Sequence, residues 1–256
     1  MTERQPGLYY AEYLDLDTLL SAQKPLSDHP DELHFIIIHQ IHELWFKLAL
    51  HHLERARITL GGDELPEAVR LLNQVIHIIE NSTETARHLH SLPPASFAVF
   101  RELLAPGSGL QSYQFRELEF LLGYRDPQHV AWVRRQLEKT GHWAGIAYRV
   151  EEPSIADALD GVLERRGVED VVEIYRMPTA YPLLNMLADT LSRLDHRLLD
   201  WRLAHNQLVE RTIGVGAVGT GGTTHDYLAS RLNVRLFPRL WAARDALTRQ
   251  ATSTDD

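Results

Sequence analysis

Residues 183–214 read LLNMLADTLSRLDHRLLDWRLAHNQLVERTIG, the longest regular pattern in the chain. Nonpolar side chains recur there at spacings of three and four, which is the period of an α-helix with one buried face. One imidazole, that of His205, interrupts this face. The pattern predicts a long central helix whose buried face is made of Leu184, Leu187, Leu191, Leu194, Leu198, Trp201, His205, Leu208 and Thr212.

The same period recurs along most of the remaining chain. Between residues 33 and 48 it predicts a helix whose buried face is made of Leu33, Ile37, Ile41, Leu44 and Leu48. No run of alternating β-branched residues predicts a strand, and no break in composition marks a second domain. We therefore expect an all-α fold, a single-domain helical bundle over residues 1–256. Further helices are predicted over residues 65–90, 96–104, 112–123, 128–149, 155–166 and 227–248.

The composition excludes several classes of protein. The formal net charge of −9 is spread along the chain, whereas nucleic acids and anionic membranes require a basic face, so neither is an expected partner. Cysteine is absent, which excludes disulfides, cysteine-bound zinc, iron–sulfur clusters and thiolate nucleophiles. The first residues lack the apolar core of a signal peptide, and no stretch of about 18 apolar residues predicts a membrane span. A cytoplasmic protein is therefore expected.

Two interpretations of His205 follow from its place in the pattern. A single histidine on an apolar face is more often a hydrogen-bonded core residue than a ligand. A long helix in a bundle is, however, a suitable platform for a ligand, and the apolar wall around His205 suits a flat macrocycle. Because cysteine is absent, histidine is then the obvious axial ligand for a haem iron.

Residues 35–47, FIIIHQIHELWFK, place two histidines one helical turn apart. His39 and His42, with Glu43 beside them, could bind a non-haem metal, although HxxHE is not the HExxH signature of zinc enzymes. A half-exposed surface position is the simpler interpretation of His42. Phe35 and His39 share one helical face, which would offer an aromatic plate and an imidazole to a flat heteroaromatic substrate.

Arg116 and the segment from Gly219 to Thr224 each have two interpretations. Taken alone, Arg116 is most simply a surface residue; its functional interpretation is a guanidinium that binds a substrate carboxylate through two parallel hydrogen bonds. The segment is either a flexible link or a loop whose backbone approaches a ligand closely. It is not a phosphate-binding loop, because no Lys-Ser/Thr pair ends it and no strand precedes it.

Four sequence blocks carry a resemblance that covers nearly the whole chain. They are YAEYLDLDTLLSAQ (residues 10–23), FIIIHQIHELWFK (35–47), QSYQFRELEFLLG (111–123), and WRLAHNQLVERTIG (201–214) with GTGG (219–222). In this order they resemble the tryptophan 2,3-dioxygenase family, all-helical haem enzymes that open the indole ring of L-tryptophan with O2. The resemblance implies a helical bundle that encloses haem b (iron protoporphyrin IX), with O2 as co-substrate and N-formylkynurenine as product.

Carried over by position, the resemblance implies a role for each matching residue. His205 would be the proximal ligand of the haem iron. His39 would be the distal, catalytic histidine, which hydrogen-bonds the indole N–H and does not act as a strong base. Phe35 would pack on the indole ring, Arg116 would bind the substrate carboxylate, and Thr220 would hold the ammonium and carboxylate end.

The resemblance also implies contacts farther from the iron. Tyr113 would assist in binding the substrate carboxylate. In the family, the N-terminal segment crosses to a neighbouring subunit and helps to cover its pocket. Residues 1–25 match this arm, and Tyr10, Tyr13 and Leu14 match its covering residues. A homo-oligomer, namely a tetramer, is therefore expected.

The chain departs from the family pattern mostly near the amino-acid end of the substrate. Ile41 stands where a small hydroxyl or aromatic residue is expected, and Leu110 stands where phenylalanine is expected. The loop 214–219 is one residue longer than usual and lacks basic residues, and His225 and Asp226 replace small residues. Because such a loop could shift the substrate, the alternative is mono-oxygenation of tryptophan or β-methyltryptophan to a 2-oxindole in bacterial secondary metabolism. A non-catalytic haem sensor ranks below this, and a non-haem or purely structural helical protein ranks last.

Overall fold

The computed structural model describes residues 9–222 and 224–252. Every regular element within these residues is helical and none is a strand, so the expected all-α class is confirmed. Short 3₁₀ turns occur at Leu89–Ser91, Glu102–Leu104, Gly109–Gln111, Ala147–Val150 and Arg231–Asn233. In chain order, the α-helices of the described residues are α1 (Tyr10–Tyr13), α2 (Leu16–Leu20), α3 (Pro30–Gly61), α4 (Leu65–His88), α5 (Pro94–Arg101), α6 (Tyr113–Leu122), α7 (Pro127–Glu138), α8 (Trp143–Ile146), α9 (Ile155–Arg165), α10 (Val172–Arg176), α11 (Pro182–Ile213), α12 (His225–Ser230) and α13 (Pro238–Thr252).

Helix α4 lies at the centre of the bundle and packs against both α3 and α11. The buried face of α11 includes Leu187, Leu191 and Leu194, as the sequence pattern predicts. Full burial of one leucine side chain contributes about 1.5–3 kcal/mol to folding. This shared core therefore stabilises the bundle and sets the positions of α3 and α11, the two helices that carry the candidate histidines.

The prediction of a buried apolar face between residues 33 and 48 is wrong for most of the residues assigned to it. Leu33, Ile37, Leu44 and Leu48 are between 38% and 51% exposed, and Ile41 is half-buried against a small cluster beside α5. This part of α3 is apolar on more than one side, and spacing alone does not determine which side meets the protein's own core. The face that does enter the core is made of Phe46, Ala49, Leu53, Ala56 and Leu60.

Two of the predicted helices are interrupted in the structure. The helix expected over residues 128–149 ends with α7, and Gly141 then adopts a φ of +75°, which glycine tolerates and other residues rarely do. The helix expected over residues 227–248 is divided into α12 and α13. Pro238 begins α13, because a proline has no N–H with which to continue a preceding helix. Helix α10, which precedes α11, was not predicted.

Helix α6, which carries Arg116, has well-defined ends. At its start the Ser112 Oγ accepts a hydrogen bond from the backbone N–H of Phe115 at 3.3 Å. At its end Gly123 has a φ of +112°, and a Cβ added there would lie 2.8 Å from the Ala156 Cβ. Only glycine fits such a position. The two ends therefore fix the limits of the helix that carries Arg116.

Within the described residues, no helix is long and apolar enough to cross a membrane. The expected single domain and the expected cytoplasmic location stay predictions. Of the N-terminal arm predicted over residues 1–25, residues 1–8 lie outside the described part, as do residues 253–256 and Thr223. The remainder of the arm forms α1 and α2, where Tyr10 and Tyr13 are 75% and 72% exposed.

Candidate functional site

A cleft lies among α3, α5, α6, α11 and the segment that joins α11 to α12. It brings together five of the residues predicted to form a site, namely Phe35, His39, Arg116, His205 and Thr220. These residues come from three helices and one loop, so the tertiary fold alone places them side by side. The wall is largely apolar and includes Phe46, Leu89, Leu92, Phe97, Phe115, Trp201, Leu208, Val209 and Ile213.

His39 lines the cleft as a hydrogen-bond acceptor. Its ring lies 4.1 Å from the Phe35 ring between centroids, and its Nδ1 lies 2.7 Å from the Phe35 carbonyl oxygen. His39 is exposed and lines the cleft, yet the surrounding protein desolvates its ring, which lowers its pKa to about 4. A carbonyl can only accept, so Nδ1 carries the proton of the neutral ring. The lone pair is therefore on Nε2.

His205 lines the same cleft from α11. The Trp201 ring stacks on its imidazole, with centroids 5.5 Å apart and planes 16° from parallel. Burial lowers the pKa of His205 to about 4, and His39, His42 and Arg116 contribute to the same shift. The ring is therefore neutral near pH 7. In the part of the chain that the structure describes, no residue forms a hydrogen bond with either of its nitrogens.

The residues around His205 fit a haem. A neutral imidazole on a rigid helix is a suitable axial ligand for haem iron. Leu208, Val209 and other apolar side chains would contact the macrocycle. Arg101 and Arg231 also line the cleft, and guanidinium groups suit the carboxylates of haem propionates. The donor set and its surroundings therefore agree with haem ligation by His205.

His42 differs from the surface histidine that the sequence favoured. It is half-buried and lines the cleft. Its Nδ1 lies 2.7 Å from the Ile38 carbonyl oxygen and its Nε2 lies 3.1 Å from that of Ser82, so the ring joins α3 to α4. Among residues 9–222 and 224–252, no group of three or more His, Cys, Asp or Glu side chains could hold a metal ion. The structure thus gives His42 a bridging position in the wall.

Arg116 is buried, which contradicts its simplest interpretation as a surface residue. Its Nη1 donates a hydrogen bond to Oε2 of Glu119 at 2.7 Å, and this carboxylate also contacts His129 and Arg202. Burial acts to raise the pKa of Glu119, but Arg116, His129 and Arg202 outweigh it and lower the pKa to about 2. Glu119 is therefore ionised at ordinary pH. The four side chains form a buried ionic cluster, hereafter the Glu119 cluster.

Three members of the Glu119 cluster were not predicted from the sequence. Glu119 follows Arg116 by three positions, which is the spacing of an ion pair on one helical face and could have identified it. His129 and Arg202 belong to α7 and α11, and no local pattern connects them to α6. Arg202 and Glu119 both line the cleft, so the cluster is part of the site.

The segment between α11 and α12 is hydrogen-bonded to the end of α5 and to the turn before α6. The Thr220 hydroxyl donates to the Gly107 carbonyl oxygen at 2.6 Å, and the Arg101 guanidinium donates to the Val218 carbonyl oxygen at 2.5 Å. A Cβ added to Gly221 would lie 2.6 Å from the Ser108 side chain, so the glycine permits this close approach. These contacts argue against a flexible link, and the approach of the loop to a ligand stays a prediction.

The start of α12 also borders the cleft. Nε2 of His225 lies 2.6 Å from Oε1 of Glu210, and this contact joins α12 to α11. Leu110 and His225, two of the departures from the family pattern, line the cleft, whereas Ile41 packs beside α5. Two of the departures in this chain therefore lie in the wall of the cleft, together with Thr220.

Four of the predicted site residues do not line this cleft. Tyr113 stacks on His142, with centroids 4.7 Å apart, and its neighbour Ser112 lines the cleft instead. The other three, which are Tyr10, Tyr13 and Leu14 of the N-terminal arm, are exposed. Their predicted role concerns the pocket of a neighbouring subunit. The roles of all four residues stay predictions.

The helices and the cleft define an all-α protein in which two neutral histidines and a buried arginine line one cavity. Residues 1–170 match the family model described as tryptophan 2,3-dioxygenase. The tryptophan 2,3-dioxygenase of Caulobacter vibrioides is 40% identical, over 93% of this chain and 98% of that protein. Those of Cupriavidus necator and Bacillus thuringiensis are each 35% identical, covering 87% and 95% of the respective relatives. The chain belongs to the tryptophan 2,3-dioxygenase family.

Proposed function

We propose that this protein catalyses the haem-dependent 2,3-dioxygenation of L-tryptophan. Both atoms of O2 are inserted as the indole C2–C3 bond breaks, and N-formylkynurenine is the product. The observation that carries the proposal is the unprotonated Nε2 of His39, which lies beside the Phe35 ring in the same cleft as His205 and Arg116. The relatives named tryptophan 2,3-dioxygenase, which align over nearly the whole chain, support it.

Haem b is the proposed cofactor, with His205 as the axial ligand of its iron. When bound, haem supplies the iron at which O2 reacts. The chain contributes a neutral imidazole and a largely apolar wall. It also contributes arginines whose positive charge would pair with the negatively charged propionates. A histidine whose pKa is about 4 needs no deprotonation before it ligates a metal at neutral pH.

The remaining cleft residues would hold the substrate in one orientation. Nε2 of His39 would accept a hydrogen bond from the indole N–H, and the Phe35 ring would pack on the indole. A pKa of about 4 makes His39 a weak base, so its role is orientation. Arg116 would bind the carboxylate. The Thr220 hydroxyl proton is already committed to Gly107, which leaves its oxygen to accept from the ammonium group.

Mono-oxygenation to a 2-oxindole is not favoured, because the aligned relatives are named as dioxygenases. The altered loop 214–219 motivated this alternative together with other departures, of which Leu110 and His225 line the cleft without removing any of the proposed substrate contacts. A haem sensor would have no need for a buried arginine in position to bind an amino-acid carboxylate.

We also propose that the protein is a homo-oligomer, with the tetramer implied by the family resemblance as its expected state. The support is the exposed apolar face of α3, which we call the outer face of α3: Leu33, Ile37, Leu44 and Leu48. A second copy of the chain would remove this face from water.

Haem ligation by His205 is tested by visible spectroscopy of the purified protein with haem. The wild-type protein should show the Soret band of histidine-ligated haem. His205→Ala should lose this band because the substitution removes the proposed axial imidazole. His77→Ala is the matched control, since the His77 side chain is 71% exposed on α4. Unchanged haem ligation in His205→Ala would contradict the assignment.

A further inference from the structure

The Glu119 cluster joins three helices through one carboxylate. Oε2 of Glu119 accepts from Arg116 Nη1 at 2.7 Å and lies 3.0 Å from His129 Nε2, while Oε1 accepts from Arg202 Nη2 at 3.2 Å. None of the four residues is more than 7% exposed. Glu119 thereby contacts every other member, and the other members are held in place through it.

The charges of the cluster do not balance. Two guanidinium groups, those of Arg116 and Arg202, share one carboxylate, which leaves one guanidinium charge in excess. An uncompensated charge in a buried position is costly. Both arginines line the cleft, where one carboxylate of an α-amino acid would neutralise the excess.

Arg116 is held on two sides. Its guanidinium carbon lies 4.9 Å from the centroid of the Phe115 ring and 5.8 Å from that of the Trp132 ring, while Nη1 is bound by Glu119. No described residue accepts a hydrogen bond from its Nη2. The carboxylate of Glu119 therefore orients the guanidinium and leaves donors for a ligand.

We propose that Glu119 is a positioning residue for substrate binding. It aligns the Arg116 guanidinium and neutralises one of the two guanidinium charges, so that a single substrate carboxylate can neutralise the other. The proposal rests on the proposed function, because it takes an amino acid as the ligand. Glu119 itself does not contact the substrate in this account.

Two effects of Glu119 on an anionic ligand have opposite signs. By charge alone, a second carboxylate repels the substrate carboxylate, so its removal would tighten binding. If Glu119 instead orients Arg116, its removal leaves the guanidinium free to turn away, and binding weakens. The direction of the change therefore distinguishes positioning from simple charge repulsion.

The experiment compares two ligands in the anaerobic, ferrous, haem-loaded protein. Glu119→Gln should weaken L-tryptophan binding by about tenfold or more, the range for a charge-assisted hydrogen bond. Tryptamine, which lacks the carboxylate, should bind within about twofold of wild type, since it does not use Arg116. Glu117→Gln is the matched control on the same helix: Glu117 pairs with Arg149 and does not line the cleft, so both affinities should be unchanged.

Tighter or unchanged L-tryptophan binding in Glu119→Gln would overturn the proposal, and so would equal losses for both ligands. Should Glu119→Gln fail to fold, Glu119→Asp keeps the charge but shortens the side chain by one methylene; it should show the same selective loss to a smaller degree, and no loss would overturn the proposal. Failure of the proposed function is distinguishable, because wild-type protein would then bind L-tryptophan without oxidising it.

Discussion

At the scale of single residues, one hydrogen bond determines what His39 can do. Its Nδ1 lies 2.7 Å from the carbonyl oxygen of Phe35, one turn earlier on α3. The neutral ring therefore presents a lone pair, and not a proton, at Nε2. The sequence predicted that Phe35 and His39 share a face, but it contained no information on the tautomer, which depends on the helical geometry that brings Nδ1 to the Phe35 carbonyl.

The affinity of the ferrous protein for L-tryptophan should stay level from about pH 8 to about pH 5, because His39 has a pKa of about 4. Protonation would remove the acceptor, so affinity should fall only as the pH approaches 4. Titrations at a series of pH values check this. A histidine with the ordinary pKa of 6.5 would lower the affinity more than about tenfold by pH 5.

The control for this experiment is 1-methyl-L-tryptophan, which has no indole N–H. Its affinity should not depend on the protonation of His39. A loss of L-tryptophan affinity centred near pH 6.5 that is absent for the methylated ligand would contradict the neutral, accepting imidazole.

At the scale of elements, α3 shows why periodicity predicts a helix better than it predicts the helix's partners. Spacings of three and four correctly indicated a helix over residues 33–48, and the observed helix extends beyond both ends, from residue 30 to residue 61. They did not reveal which face enters the core, because alanines at positions 49 and 56 pack there while larger side chains such as Leu44 remain outside. Close packing between helices in the core favours small residues, and a hydrophobic pattern does not register that preference.

The double variant Ile37→Lys/Leu44→Lys should form smaller species than the wild type, because it places charges on the outer face of α3. Size-exclusion chromatography with light scattering measures this. Val99→Lys is the control, as Val99 is 58% exposed and belongs to a different helix, α5. An unchanged mass for the double variant, or a monomeric wild type, would contradict the proposed homo-oligomer.

At the scale of the whole molecule, the sequence predicted the all-α class and most long helices, but only part of the site. His205 and Arg116, which have a family motif around them, line the same cleft, and their roles there stay predictions. His129 and Arg202 were missed because they reach Glu119 from 10 and 83 residues away along the chain. Contacts of that kind depend on how helices pack, and no local spacing encodes them.

The breaks in predicted helices have the same origin. Gly141 and Pro238 are visible in the sequence, yet each lies within a stretch whose apolar spacing continues on both sides. The backbone requirements of these two residues outweighed the hydrophobic pattern.

The central claim is that the cleft supports insertion of both oxygen atoms of O2 into L-tryptophan. Its most direct test is mass spectrometry of the product formed when haem-loaded, ferrous protein is mixed with L-tryptophan and isotopically labelled O2. We predict N-formylkynurenine carrying two labelled oxygen atoms. A product with one labelled oxygen and an intact bicyclic ring, or recovery of unchanged L-tryptophan, would contradict the account.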